Sequence, residues 1–151
     1  MKKRIHAIAG ITGFTMILIF WSSTVVSELF GSYADITAVK TSIPWGMIIL
    51  IPALAIAGAS GMAMGRKWKG ALVSSKQKRM PFIALNGLLV LVPAAFFLAN
   101  KAETGVFDLW FYCVQSIELI AGATNLCLMG LNIRDGLTMS GRLHGKPRTQ
   151  T

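Results

Sequence analysis

The chain has 151 residues, enough for one domain, and is 54% apolar but only 14% charged, where a soluble domain carries about 25% charged residues. The charges are confined to a few segments, and the stretches between them are long enough to cross a bilayer, which needs about 20 apolar residues at about 1.5 Å rise each. The formal net charge of +9 needs no nucleic acid to explain it, because the basic residues flank apolar stretches on one side.

The first expected span runs from about Ile5 to Ser27, behind Lys2, Lys3 and Arg4, with no charge until Glu28. A cleaved signal peptide is the rival reading, since Val25-Val26-Ser27 has small residues suited to cleavage. The apolar run from Ile5 to Trp21 exceeds the usual signal core of about 7–15 residues, so a retained helix is expected. Residues from Glu28 to about Ser42 read as a polar loop holding Gly31, Ser32, Asp35 and Lys40.

The second span is expected over about 43–65, with Pro44 in its first turn, where a missing N–H costs nothing, and Pro52 inside as a kink. Ala53, Ala57, Gly61 and Gly65 recur at every fourth position, a spacing that lets backbones approach closely. Arg66 to Arg79 follows as a basic loop. The third span is expected over about 80–99, with Pro81 at its start and Pro93 inside, then a polar turn from Asn100 to Gly105. The fourth occupies about 107–131. Gly136 is a plausible helix stop, and 137–151 is a basic tail. The fold expected for residues 1–136 is therefore all-α, an antiparallel four-helix transmembrane bundle.

Thirteen of the fifteen Lys and Arg residues fall on the amino end, the Arg66–Arg79 loop and the carboxyl side, leaving Lys40 and Lys101 opposite. Basic short loops stay cytoplasmic, so both termini are expected in the cytoplasm and the protein in the inner membrane. Trp45 and Trp110 near the outer span ends, and Trp68 near the inner end, suit the interfaces.

Span four carries the most informative pattern. Gln115, Glu118, Gly122, Asn125, Met129 and Asn132 follow spacings of three and four, which places them on one stripe; Asp108 and Tyr112 extend it outward. Cys113 and Cys127 share this helix about 21 Å apart, beyond disulfide reach; they read as small packing residues. Counted from Phe107, Glu118 falls near the bilayer midplane. No Lys or Arg is expected at its depth, so its carboxyl is expected to keep its proton. Its functional readings are a proton relay, a cation site or a substrate anchor. The plain alternative is a neutral hydrogen bond to Thr15, Ser22 or Gln115. Asn86 and Asn125 are expected to pair between spans three and four.

His6 opens span one at the inner surface, where a histidine can simply snorkel. It is also a candidate haem ligand, since Met62 and Met64 end span two on the same side, with Met129 ending span four there, and His/Met ligation holds haem iron. Gly10, Gly13, Gly61 and Gly65 would floor a slot for a flat ring. Arg4-Ile5-His6 opening a first helix resembles the start of small bacterial b-type cytochromes, and that resemblance implies haem b as a cofactor. Those proteins place further histidines inside other helices. This chain has only His6 and His144, which excludes two-haem ligation. The segments from Lys78 to Gly87 and from Asn132 to Gly136 resemble uncharacterised four-helix bacterial inner-membrane proteins, implying topology alone.

No phosphate loop, HExxH or nucleophile elbow is present, and an enzyme is not expected. Three roles remain: an accessory or interaction subunit contacting lipid, another membrane protein or a second copy; a single-haem electron carrier; and an oligomeric transporter component using Glu118.

Overall fold

The computed structural model describes residues 2–65 and 71–139, with side chains over 4–63 and 78–138. Helix α1 spans Lys2–Phe30, α2 Tyr33–Gly65, α3 Ala71–Asn86, α4 Val92–Glu103 and α5 Leu109–Met139. A π-helical turn, Gly87–Leu91, joins α3 to α4. Four stretches are long and apolar enough to cross a membrane, the third running through α3, the π turn and α4. They pack as an antiparallel four-helix bundle in which α1 lies on α2 and α5, α4 on α2, and α3 on α5. One end holds the α1–α2 and α4–α5 turns and is here the hairpin end; the other holds Arg4, Arg79 and Asp135 and is the terminal end.

The main departure from expectation lies at the first turn. The polar loop from Glu28 to Ser42 is not a loop: only Gly31 and Ser32 separate α1 from α2. Gly31 N–H donates to the Ser27 carbonyl at 2.9 Å. Ser32 then caps α2, its hydroxyl accepting from the Asp35 N–H at 3.3 Å, while the Asp35 carboxylate accepts from Ser32 N–H at 2.8 Å and from its hydroxyl at 2.7 Å. This reciprocal capping satisfies donors that a helix start leaves open. Pro44 consequently lies well inside α2, which also continues past Pro52.

The third span is longer than expected and interrupted. Val92 N–H bonds to the Gly87 carbonyl, five residues back. Pro93 supplies the reason: it has no N–H and its ring crowds the carbonyl four residues earlier, so the chain widens there. Helix α4 continues through Asn100 to Glu103 and ends in a Schellman motif. Val106 N–H reaches the Lys101 carbonyl at 2.9 Å and Gly105 N–H the Ala102 carbonyl at 3.1 Å. Gly105 takes φ +68°, the left-handed conformation this motif needs. At the far end α5 runs past Gly136 to Met139, taking in the first residues of the expected tail; 140–151 lie outside the described residues, as do 66–70 of the basic loop.

Three apolar clusters are stacked along the interior. Ile36, Leu98, Ala102 and Phe111 fill the hairpin end. Ile43, Met47 and Ala95 follow, then Ile17, Leu50, Ile83 and Met129. Ala53 and Ala57 of the small-residue stripe are buried. Trp110 is exposed near the hairpin end, as an interfacial role requires. Trp45 is exposed too, but with α2 starting at Tyr33 it lies about 18 Å along the helix, well inside the span rather than at its outer end. Trp68 lies outside the described residues.

Candidate functional site

The polar stripe of α5 turns inward as its spacing predicts. Gln115, Gly122, Asn125, Met129 and Asn132 are buried, and Glu118 is 12% exposed. Phe111, fully buried, takes the place at the hairpin end that the stripe assigned to Tyr112, which is 40% exposed.

Glu118 is not unpaired. Lys40, read as a loop residue on the far side, is only 1% exposed and donates its ammonium to Glu118 Oε2. It also donates to Thr24 Oγ1 at 3.4 Å. Starting α2 at Tyr33 explains this. Ile36, Lys40, Ile43, Met47, Leu50, Ala53 and Ala57 are all buried and follow spacings of three and four, so Lys40 occupies the inward face of a helix. Neither Thr15 nor Ser22 reaches Glu118; the Ser22 hydroxyl bonds back to the Leu18 carbonyl at 2.6 Å.

The ion pair lies nearer the hairpin end than the terminal end. Paired charges close both ends: Lys101 with Asp108 at 2.6 Å and Arg79 with Asp135 at 2.7 Å. Along α5, Glu118 is about 15 Å from Asp108 and about 26 Å from Asp135. A hydrocarbon layer of about 30 Å centred between those belts leaves the pair in its hairpin-side half.

A second carboxylate joins it. Glu28, in the last turn of α1, acts electrostatically on both Lys40 and Glu118, and the Gln115 amide lies against its carboxylate without completing a hydrogen bond of normal geometry. Glu28 Oε1 and both amide atoms of Gln115 are buried with no hydrogen-bond partner. On the other side of the pair, a cavity of about 50 Å³ is lined by Ile17, Phe20, Thr24, Leu50, Glu118 and Gly122. It has room for a few waters and nothing larger. Trp21 closes one wall, its Nε1 donating to the Leu119 carbonyl at 2.9 Å.

Between this pair and the Arg79–Asp135 pair at the terminal end, the contacts of Asn86 and Asn125 are neutral. Asn86 Nδ2 donates to Asn125 Oδ1 and to the Ala121 carbonyl, both at 2.9 Å, so the expected asparagine pair is present. Asn125 Nδ2 in turn reaches the Ile83 carbonyl at 3.4 Å.

His6 Nδ1 donates to the Ala57 carbonyl at 3.0 Å and lies 3.1 Å from Ser60 Oγ. A flat ring does not fit beside it. Leu54 covers Gly13, and the Met80 thioether covers Gly61 against the His6 ring. Met62 is 59% exposed on the outside of α2, Met129 is buried in the core cluster with Ile17 and Leu50, and the Met64 side chain lies outside the described residues. Gly13 and Gly61 thus accommodate neighbouring side chains, whereas a Cβ at Gly10 would meet nothing within 4 Å. Cys113 and Cys127 are free and exposed, on the lipid-facing side rather than in the packing. Among the described residues, no three His, Cys, Asp or Glu side chains are grouped to hold a metal ion.

No protein-family model, curated protein or solved structure matches the chain. The chemistry of the bundle itself must carry the functional reading.

Proposed function

We propose that this multi-pass membrane protein is an accessory or interaction subunit of the inner membrane with both termini cytoplasmic. Its partner is another membrane protein or a second copy, within lipid and without nucleic acid. The observation carrying this reading is how the bundle uses its buried polar groups. Lys40 binds Glu118, Asn86 binds Asn125, and Arg79 binds Asp135. Each contact joins helices of one chain, and the cavity beside Glu118 is water-sized. Such an interior fixes helix positions and leaves recognition to the outer faces. The orientation rests on the thirteen basic residues of the terminal segments and of the stretch from Arg66 to Arg79, whose second part is the start of α3.

The test is photocrosslinking in cells from Ile48 on α2 and Ile120 on α5, which are 65% and 69% exposed. One partner crosslinked from one face and retained at fixed stoichiometry through mild detergent is the expected result. A monomer without crosslinks, active alone in liposomes, overturns it.

A transporter component using Glu118 is the second reading, favoured by two carboxylates and one ammonium placed within the hydrocarbon depth. Flux in liposomes that is lost in Glu118→Gln would replace the first reading with this one.

A further inference from the structure

The hairpin-side cluster has an unbalanced charge. Helix α1 packs only on α2 and α5 among the described elements. From these helices Lys40, Glu118, Gln115 and Tyr112 face Glu28. One ammonium therefore stands among two carboxylates, and its direct contacts go to Glu118 and Thr24. Glu28 receives none of them.

The hydrogen bonds are unbalanced at the same place. Gln115 is 4% exposed, yet its amide oxygen and nitrogen both lack partners, as does Glu28 Oε1 beside them. An ionised Glu28 is an acceptor only. It can take a hydrogen bond from the Gln115 nitrogen, but it has nothing to give the Gln115 oxygen. A carboxylic acid differs in one respect that matters here: it carries a donor. Its O–H meets the amide oxygen while its carbonyl accepts the amide N–H, forming a closed acid–amide pair. One proton thus satisfies all three orphaned atoms and removes the excess negative charge.

We propose that Glu28 and Gln115 form a binding site for one exchangeable proton, loaded from the hairpin end of the bundle. Loading transfers a proton from hydronium to the Glu28 carboxylate and releases water. Tyr112 links the site to the surface: it is 40% exposed and interacts with both Glu28 and Tyr33, itself 64% exposed. The loaded site is neutral and leaves Lys40 to Glu118. The unloaded Glu28 carboxylate competes with Glu118 for the same ammonium, so loading sets how firmly α1 is tied to the α2–α5 pair. The proton is favoured over an alkali-metal ion because the cluster offers two carboxylates beside a resident ammonium and no third anionic ligand. The site does not depend on the partner reading.

Infrared spectroscopy of the full protein in nanodiscs tests this. At neutral pH the wild type should show a protonated-carboxyl C=O band that shifts in deuterium oxide and converts to carboxylate as pH is raised. The band should be absent in Glu28→Gln and present in Glu118→Gln. Gln115→Leu should move it to higher frequency by removing its hydrogen bonds, with circular dichroism confirming intact helices. Replacing choline chloride with sodium chloride at fixed pH should leave it unchanged. No band in the wild type, a band surviving in Glu28→Gln, or a band unmoved by Gln115→Leu would overturn the site. Discharge of the band by sodium at constant pH would make it an alkali-cation site instead and overturn the proton assignment.

Discussion

The two halves of the bundle solve the same problem with different chemistry. The hairpin half locks α2 to α5 with Lys40 and Glu118, a full ion pair in the interior. The terminal half locks the third span to α5 within the span by Asn86 and Asn125, two neutral amides, and keeps its ion pair, Arg79 with Asp135, at the end of the bundle. Amides lose little by entering hydrocarbon as partners, and interhelical bonds of this kind contribute about 0.6–2 kcal/mol. An ion pair is costly to bury and repays that cost only while both members are present. The charged half should therefore be the more sensitive to single substitutions and the less sensitive to paired ones.

Lys40→Met alone and Glu118→Leu alone should each destabilise by about 3–5 kcal/mol, because each strands the other charge. The double variant should recover most of the loss. Denaturant titration of the four proteins in one detergent gives the coupling, and simple additivity would mean the ion pair exerts no mutual hold. Asn125→Ala should cost less, about 1–2 kcal/mol. A loss larger than that of Lys40→Met would invert the comparison.

The turns sharpen the contrast further. Ser32→Ala removes the cap that starts α2 early enough to carry Lys40 inward, and should cost about 1 kcal/mol. Hydrogen exchange should show the loss at Tyr33–Thr37 first. The smallest effect is a pH dependence at the second turn. The hydrogen bond from Lys101, joined by the Phe111 N–H, holds the Asp108 carboxyl below the usual carboxylate range. A depressed folded value means its contribution is present above the unfolded value and disappears as pH falls through the folded one. Acid should thus loosen the α4–α5 turn in the wild type. Asp108→Asn should remove that dependence, measured by exchange rates at Gly105–Tyr112 below the carboxylate range.

Much of this fold was written in apolar run length and in the stripe of α5, whose period of three and four is helical and whose polar members face inward. The asparagine pair followed from depth alone. The ion pair is harder to read, because the polar residues from Glu28 to Ser42 have the composition of a loop. The local signal was there: Ser32-Tyr-Ala-Asp35 has the spacing of a capping box. Carried from that start, the buried stripe of α2 passes through Lys40 at the same interval as its apolar members. Gly61 misled in the opposite direction. Its missing side chain suggested space for a ring, and the space belongs to Met80 from the third span, a contact no local pattern encodes.

The π turn at Gly87–Leu91 has a consequence for register. It holds one residue more than an α-helix of the same rise, so the wide turn absorbs that residue and the flanking segments keep the register of a continuous helix one residue shorter. Drawing the same residues into continuous α-helix, with none removed, would swing one flank by about 100° relative to the other. With Leu98 and Ala102 still seated at the hairpin end, Ile83, Asn86 and Arg79 would leave α5 together. Deleting one residue of the turn, Leu89 for example, would bring them back. The width of this turn is therefore what keeps both ends of the third span seated at once.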